Sequence, residues 1–257
     1  RKEELKKVKK DVDKEVLDTR NKLVEQYQGT FISTVWNALR DVEVPDELKD
    51  DSTDAEFDYF RAHFWDHYDL SENGLARTPF FTKRVQYYFE KMFPQHPDTV
   101  IMAVDALASK MEKLGGSGLF HYTVWWATRH YEESKLMCMD KVLHHMAKNY
   151  YCAGRCPWAD EEMVKKMCDH AGKIEGILCE KIAPNLLMYD TSFRIPYELH
   201  KIDAPVTVLV FWDHHCGHCK KELPKLKEFY DTMASRGVVV YAVYTQGDYE
   251  GWKKYIR

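Results

Sequence analysis

Through residue 172 the apolar positions recur at helical spacing. Leu5, Val8, Val12, Val16, Leu23 and Tyr27 stand three or four residues apart, or sums of those steps, within a strongly charged stretch. This predicts an amphipathic helix over residues 1–28 that packs on its own domain, a coiled-coil partner or a tether from a membrane anchor being the other uses of such a face. Thr53 followed by Glu56 reads as a capping box ahead of the aromatic positions Phe57, Phe60, Phe64 and Trp65. Pro97 and Gly115-Gly116 bracket a helix over 98–114, and further helices are expected over 119–131, 135–151 and 161–171, the last behind a capping Asp160. The aromatic positions, which continue with Phe80, Phe81, Tyr87, Tyr88, Trp125 and Trp126, are read chiefly as core.

After Gly172 the pattern changes. Pro184, Asn185, Asp190 and Pro196 punctuate short apolar pieces, which predicts extended chain or a hairpin. Val206 to Trp212 is an unbroken β-branched and aromatic run, the pattern of a strand buried on both faces. Polar residues from Asp213 to Lys221 open a helix that runs to Gly237, Val238 to Tyr244 forms a second strand, and Asp248 to Ile256 a last helix. Strand, helix, strand, helix with short links predicts a parallel pair joined by a crossover. The fold class is therefore α followed by α/β, with an all-helical domain over residues 1–173 and a βαβ domain over 174–257.

Composition narrows the function. A formal net charge of -4 on 257 residues offers no broad basic field for a phosphate backbone, so nucleic acid is not the expected partner. The longest apolar run, Val206 to Trp212, is far short of the roughly 20 residues that cross a bilayer. The first residue is Arg1 and no apolar signal core follows it, so a mature or trimmed form is expected. Seven cysteines (Cys138, Cys152, Cys156, Cys168, Cys179, Cys216 and Cys219) fit neither a fully paired secreted framework nor a thiol-poor cytosolic enzyme. Cys152 is open to a structural disulfide with Cys156 or Cys168, buried free thiols being the alternative. His121, His130, His144, His145 and His170 lack a repeated ligand spacing and read as surface or satisfied core groups.

Cys216-Gly217-His218-Cys219 lies where a strand ends and a helix begins. Unpaired N–H groups and the helix dipole at a first turn favour negative charge on the first sulfur, making Cys216 the nucleophile. Cys219, one turn in, is placed to attack a mixed disulfide at Cys216. Gly217 permits close approach of a substrate, and His218 can set positive charge beside the thiolate, which should make the couple more oxidising. The competing readings of the pair are half of a zinc site, with His214, His215 or His218 as further ligands, and two inert buried thiols.

With Phe211-Trp212 before the cysteines and Pro224 after them, this segment resembles the active-site segment of the thioredoxin superfamily. Glu222-Leu223-Pro224 and Ala183-Pro184-Asn185-Leu186 bring it closer to the TlpA/ResA-like thiol-disulfide oxidoreductases and their AhpC/TSA relatives of the bacterial envelope. The likeness covers about residues 178–257. It implies a thioredoxin-like domain in which Cys216 attacks, Cys219 resolves, Glu222 tunes the sulfurs, Trp212 supports the site and Pro224 kinks the long helix. It also implies an enzyme that exchanges disulfides with protein substrates and a redox partner protein, needs neither cofactor nor metal, and works in the bacterial periplasm or outer envelope, a lipoprotein being one form of that expectation. An all-helical domain ahead of such a module resembles envelope proteins whose N-terminal part has no assigned function. A different class of reading makes the helical domain the working part, a scaffold or binding module against which the second domain merely packs. A peroxidase of the AhpC/TSA kind is disfavoured because its peroxidatic cysteine sits in another local motif.

Three features depart from the family pattern. Asp213-His214-His215 fills the approach to Cys216 and adds pH-sensitive charge. Val210 stands where thioredoxin keeps a buried acid, which leaves proton handling to Glu222 or water. The fold also calls for two further strands, a last helix and a cis-proline, none of which precedes Arg257. The chain is accordingly expected to continue, and residues 1–257 alone to catalyse poorly.

Overall fold

A long charged helix opens the structure, a computed structural model that describes residues 2–49 and 54–256; the expected cap at Thr53 and the two end residues, Arg1 and Arg257, lie outside them. Helix α1 (Lys2–Gln26) packs on α2 (Phe31–Ala38) near its C-terminal end, where Arg20 Nη1 donates to Leu39 O at 2.9 Å and Ser33 Oγ to Val24 O at 3.1 Å. Leu5, Val8, Val12 and Val16 remain exposed, against the expectation that this face packs on its own domain. The reason is length. At 1.5 Å per residue the 25-residue α1 is about 38 Å long and the eight-residue α2 only about 12 Å.

The core of this unit lies among α3 (Ala55–Ala62), α4 (Pro79–Lys91), α5 (Pro97–Leu114), α6 (Ser117–Glu132) and α7 (Asp140–Met146), the last running on as a π-helical turn over Ala147–Tyr151. Phe81, Val85 and Phe89 of α4, Val100, Val104 and Met111 of α5, and Leu119 and Val124 of α6 are fully buried in one cluster with Met146 and Tyr150. Of the aromatic positions, Phe64, Trp65 and Phe81 are buried and Phe60, Tyr88 and Trp126 pack against them, whereas Phe57, Phe80, Tyr87 and Trp125 are exposed. Gly115 ends α5 with φ +81°, a left-handed conformation that costs glycine nothing. Helix α8 (Glu161–Ile174) begins at Asp160, whose side chain accepts from Met163 N at 2.7 Å.

The helix expected over 135–151 starts only at Asp140. Cys138 is left-handed, with φ +70°, and its disulfide to Cys179 fastens the preceding loop to the segment after α8. Lys141 also pairs with Glu180. These links lie within the first compact unit, which runs to Lys181; the second begins at Ile182. A second disulfide joins Cys152 and Cys168, one of the two pairings the sequence left open, and Cys156 is a free, buried thiol.

In the second unit, β1 (Leu187–Tyr189) and β2 (Pro196–Glu198) form an antiparallel hairpin, Met188 opposite Tyr197. Strand β3 (Val206–Trp212) lies parallel to β4 (Val238–Tyr244) in a register running from Val206 opposite Val238 to Trp212 opposite Tyr244, with α9 (Gly217–Met233) connecting them and α10 (Tyr249–Tyr255) following. Tyr241 Oη lies within hydrogen-bond distance of Leu186 O and Tyr197 O, which ties β4 to the hairpin. Trp212, Val238, Tyr241 and Val243 are buried, but Val206 and Phe211 are exposed. Strand β3 is thus not enclosed on both faces as its composition predicts, because among the described residues its sheet has only two strands. No helix of the described residues is long and apolar enough to cross a membrane.

Candidate functional site

Trp212, 5% exposed, ends β3 against the rings of Tyr244 and Tyr255 and so fixes the point from which the chain turns toward α9. The turn is organised by Asp213. Its carboxylate accepts from His215 N at 3.0 Å and its carbonyl from Cys216 N at 3.2 Å. Cys216 is thereby set at the N-cap of α9, where its sulfur accepts from Cys219 N at 3.4 Å. A sulfur in this position satisfies one of the helix's orphan donors and receives the positive end of its dipole.

The two sulfurs are unequal. The Cys216 thiol is held below its ordinary range, first by the hydrogen bond from the Cys219 side chain, then by the backbone N–H groups of Cys219 and His218; burial and the Asp213 carboxylate oppose the shift. The Cys219 thiol is raised, first by the hydrogen bond it donates to Cys216. Both are unpaired and partly exposed. A β-carbon built on Gly217 would meet nothing within 4 Å, so the surface beside the cysteines is open. Cys156, in the helical unit, is the opposite case: burial pushes its thiol up to about 12.

Two expected contributors, Glu222 from the resemblance and His218 from its place in the motif, are both exposed. Glu222, three residues beyond Cys219, pairs with Lys225 at 2.8 Å, and it is not among the leading causes of either sulfur's shift. The carboxylate that does face the cysteines is Asp213. His218 is exposed and reaches Cys216 through its backbone N–H, not its ring. Pro224 lies inside α9, as its position implied.

A second group of side chains gathers beside this turn. His214, with a side chain 11% exposed, places Nε2 3.1 Å from Asp248 Oδ2 and Nδ1 3.0 Å from Tyr244 Oη. The exposed His215 lies against it with the rings tilted by 44° and their centres 3.9 Å apart, and its Nε2 is 3.6 Å from the same Asp248 oxygen. The Asp248 carboxylate caps α10 by accepting from Gly251 N at 3.0 Å, which chiefly holds it below the usual carboxylate range. A β-carbon at Gly251 would collide with Asp248 Oδ2 and His214 Nε2 and force these side chains to move. Tyr244, Asp248 and Gly251 were not foreseen as site residues. Asp248 was legible as a helix start, but its meeting with two histidines 33 and 34 positions earlier depends on the parallel register of β3 and β4.

Three histidines of the helical unit have local partners, whereas His144 Nε2 is buried without a hydrogen-bond partner among the described residues. His121 stacks on Trp158, His130 on Trp126, and His145 bonds Asp105 at 2.9 Å.

Comparison with known proteins gives each unit a separate match. A family model described as a domain of unknown function (DUF5106) matches residues 3–173, and that of the AhpC/TSA family matches residues 180–256. The crystal structure of a thioredoxin-like protein from Bacteroides caccae aligns with a TM-score of 0.60 at 13% sequence identity, covering 84% of this chain and 77% of that one. At that identity the likeness is one of fold. No curated protein matches.

Proposed function

Since the chain belongs to the DUF5106 family, its helical domain followed by a module of the thioredoxin superfamily, we propose that it is a thiol-disulfide oxidoreductase acting on protein substrates through Cys216 and Cys219. The observation that carries this reading is the seat of Cys216: a free, partly exposed sulfur at the N-cap of α9, bonded by the N–H of Cys219 and facing open surface at Gly217.

In the reducing direction the Cys216 thiolate attacks a substrate disulfide. A bond forms between Cys216 and one substrate sulfur, the substrate S–S bond breaks, and the second substrate sulfur leaves as a thiolate. Cys219, losing its proton, attacks Cys216, breaks the mixed disulfide and frees the first substrate sulfur. The substrate gains two electrons, and the protein ends with a Cys216–Cys219 disulfide for a redox partner protein to reduce. The same steps run backwards oxidise a substrate. The electrons reside in the sulfurs, so the exchange calls for no organic cofactor. The disulfides Cys138–Cys179 and Cys152–Cys168 support an oxidising compartment, and we place the protein in the bacterial envelope.

Replacing Cys219 with Ala removes the resolving sulfur. Expressed in envelope-containing cells, Cys219→Ala is expected to accumulate mixed disulfides on Cys216 that a reductant releases and Cys216→Ala/Cys219→Ala lacks. If no adduct forms with any protein, the exchange reading is lost and a scaffold role for the helical domain takes its place.

A further inference from the structure

We propose that His214 Nε2, His215 Nε2 and Asp248 Oδ2 form a binding site for a divalent cation of the zinc class, separate from the cysteine pair. The three residues present ligand atoms all within 4.8 Å of one another. Two bonds of about 2.0–2.1 Å meeting at the tetrahedral angle hold their donor atoms about 3.3 Å apart. The Asp248 oxygen lies 3.1 Å from one imidazole nitrogen and 3.6 Å from the other, on either side of that spacing. Two imidazoles and one carboxylate are a donor set suited to zinc, and to cobalt as its spectroscopic substitute, rather than to magnesium or calcium.

The hydrogen-bond pattern aims His214 for this role. Tyr244 Oη lies 3.1 Å from Asp248 O, which can only accept, and 3.0 Å from His214 Nδ1. The hydroxyl has one proton, and in this arrangement it goes to the carbonyl, so Nδ1 carries a hydrogen and donates to Tyr244. Asp213 Oδ1, 3.6 Å from Nδ1, favours the same tautomer. The other nitrogen, Nε2, then faces a carboxylate oxygen at 3.1 Å, an approach that requires a cation between the two: a proton, or a metal ion. Outer-shell support is present for two of the three ligands, Tyr244 on His214 Nδ1 and Gly251 N–H on Asp248. Asp248 is half exposed and His215 is 70% exposed, which leaves the remaining coordination positions to water.

The test uses the full chain, purified without a polyhistidine tag, stripped with chelator, and carrying Cys216→Ser/Cys219→Ser so that no free thiolate of the pair can bind. Titration with zinc, followed by calorimetry, and with cobalt, followed by visible absorption, is expected to show one ion per chain. His215→Ala and Asp248→Asn should each weaken zinc by more than the roughly 10- to 100-fold loss typical of an outer-shell partner. Asn keeps an oxygen to cap α10, and circular dichroism checks that both variants fold. The proposal is overturned if the Ser/Ser protein binds no zinc, if a proton alone occupies the gap, or if binding survives both substitutions unchanged. Because the cysteine pair is absent throughout, the result stands apart from the fate of the exchange reading.

Discussion

The chemistry of this chain turns on single atoms whose neighbours differ although their residue types do not. Cys216, Cys219 and Cys156 are all free thiols, yet one has its pKa lowered by hydrogen bonds to its sulfur, one has it raised by donating such a bond, and one has it raised to about 12 by burial. Alkylation follows the thiolate, so a lowered pKa moves the rate profile to lower pH and a raised one to higher pH. With chelator present and iodoacetamide as reagent, mass mapping across pH 5–9 is expected to label Cys216 with a midpoint below the free-thiol value of about 8.5. Cys219 should lag behind it, and Cys156 should stay unlabelled until the helical unit unfolds. Equal rates at Cys216 and Cys219 would remove the asymmetry on which their assigned order rests. The pair itself was legible from spacing alone, because a first-turn cysteine and its i+3 neighbour meet in any helix.

At the scale of the element, periodicity located most helices and both long strands, and the exceptions have local causes. Helix α7 begins late because Cys138 is left-handed and fastened to Cys179, a constraint between residues 41 positions apart that no window on the chain contains. The same applies to Cys152 and Cys168, separated by 16 positions, which join the π-helical turn's end to α8. Closing a loop of that size stabilises a fold by about 3 kcal/mol through the entropy it removes from the unfolded chain. The variant Cys152→Ser/Cys168→Ser is therefore expected to lose about 3 kcal/mol in denaturant unfolding of the helical unit. A loss near zero would mean that the two sulfurs are not joined in the folded protein.

The molecule as a whole is two compact units; the buried hydrophobic cluster belongs to the first and the proposed chemistry to the second. Truncating a fully buried aromatic such as Phe81 to Ala removes apolar burial and opens a cavity, at a cost of about 3–5 kcal/mol. That cost is expected in the unfolding of the helical unit, followed by circular dichroism, while the pH profile of Cys216 alkylation stays where it was. A shift of that profile in Phe81→Ala would show that the units are energetically coupled.

Local interactions explain why so much of the fold is readable in the sequence. Helix periods, the Asp160 cap, the turn at Gly115, the change from helical to strand pattern and the Cys-Gly-His-Cys turn all depend on residues within a few positions of each other, and order along the chain preserves that information. The two disulfides, the exposure of α1 and β3, and the meeting of His214 and His215 with Asp248 depend on which distant surfaces come together. Register, element length and the number of strands in the sheet settle those matters, and they arise from packing that no local pattern encodes.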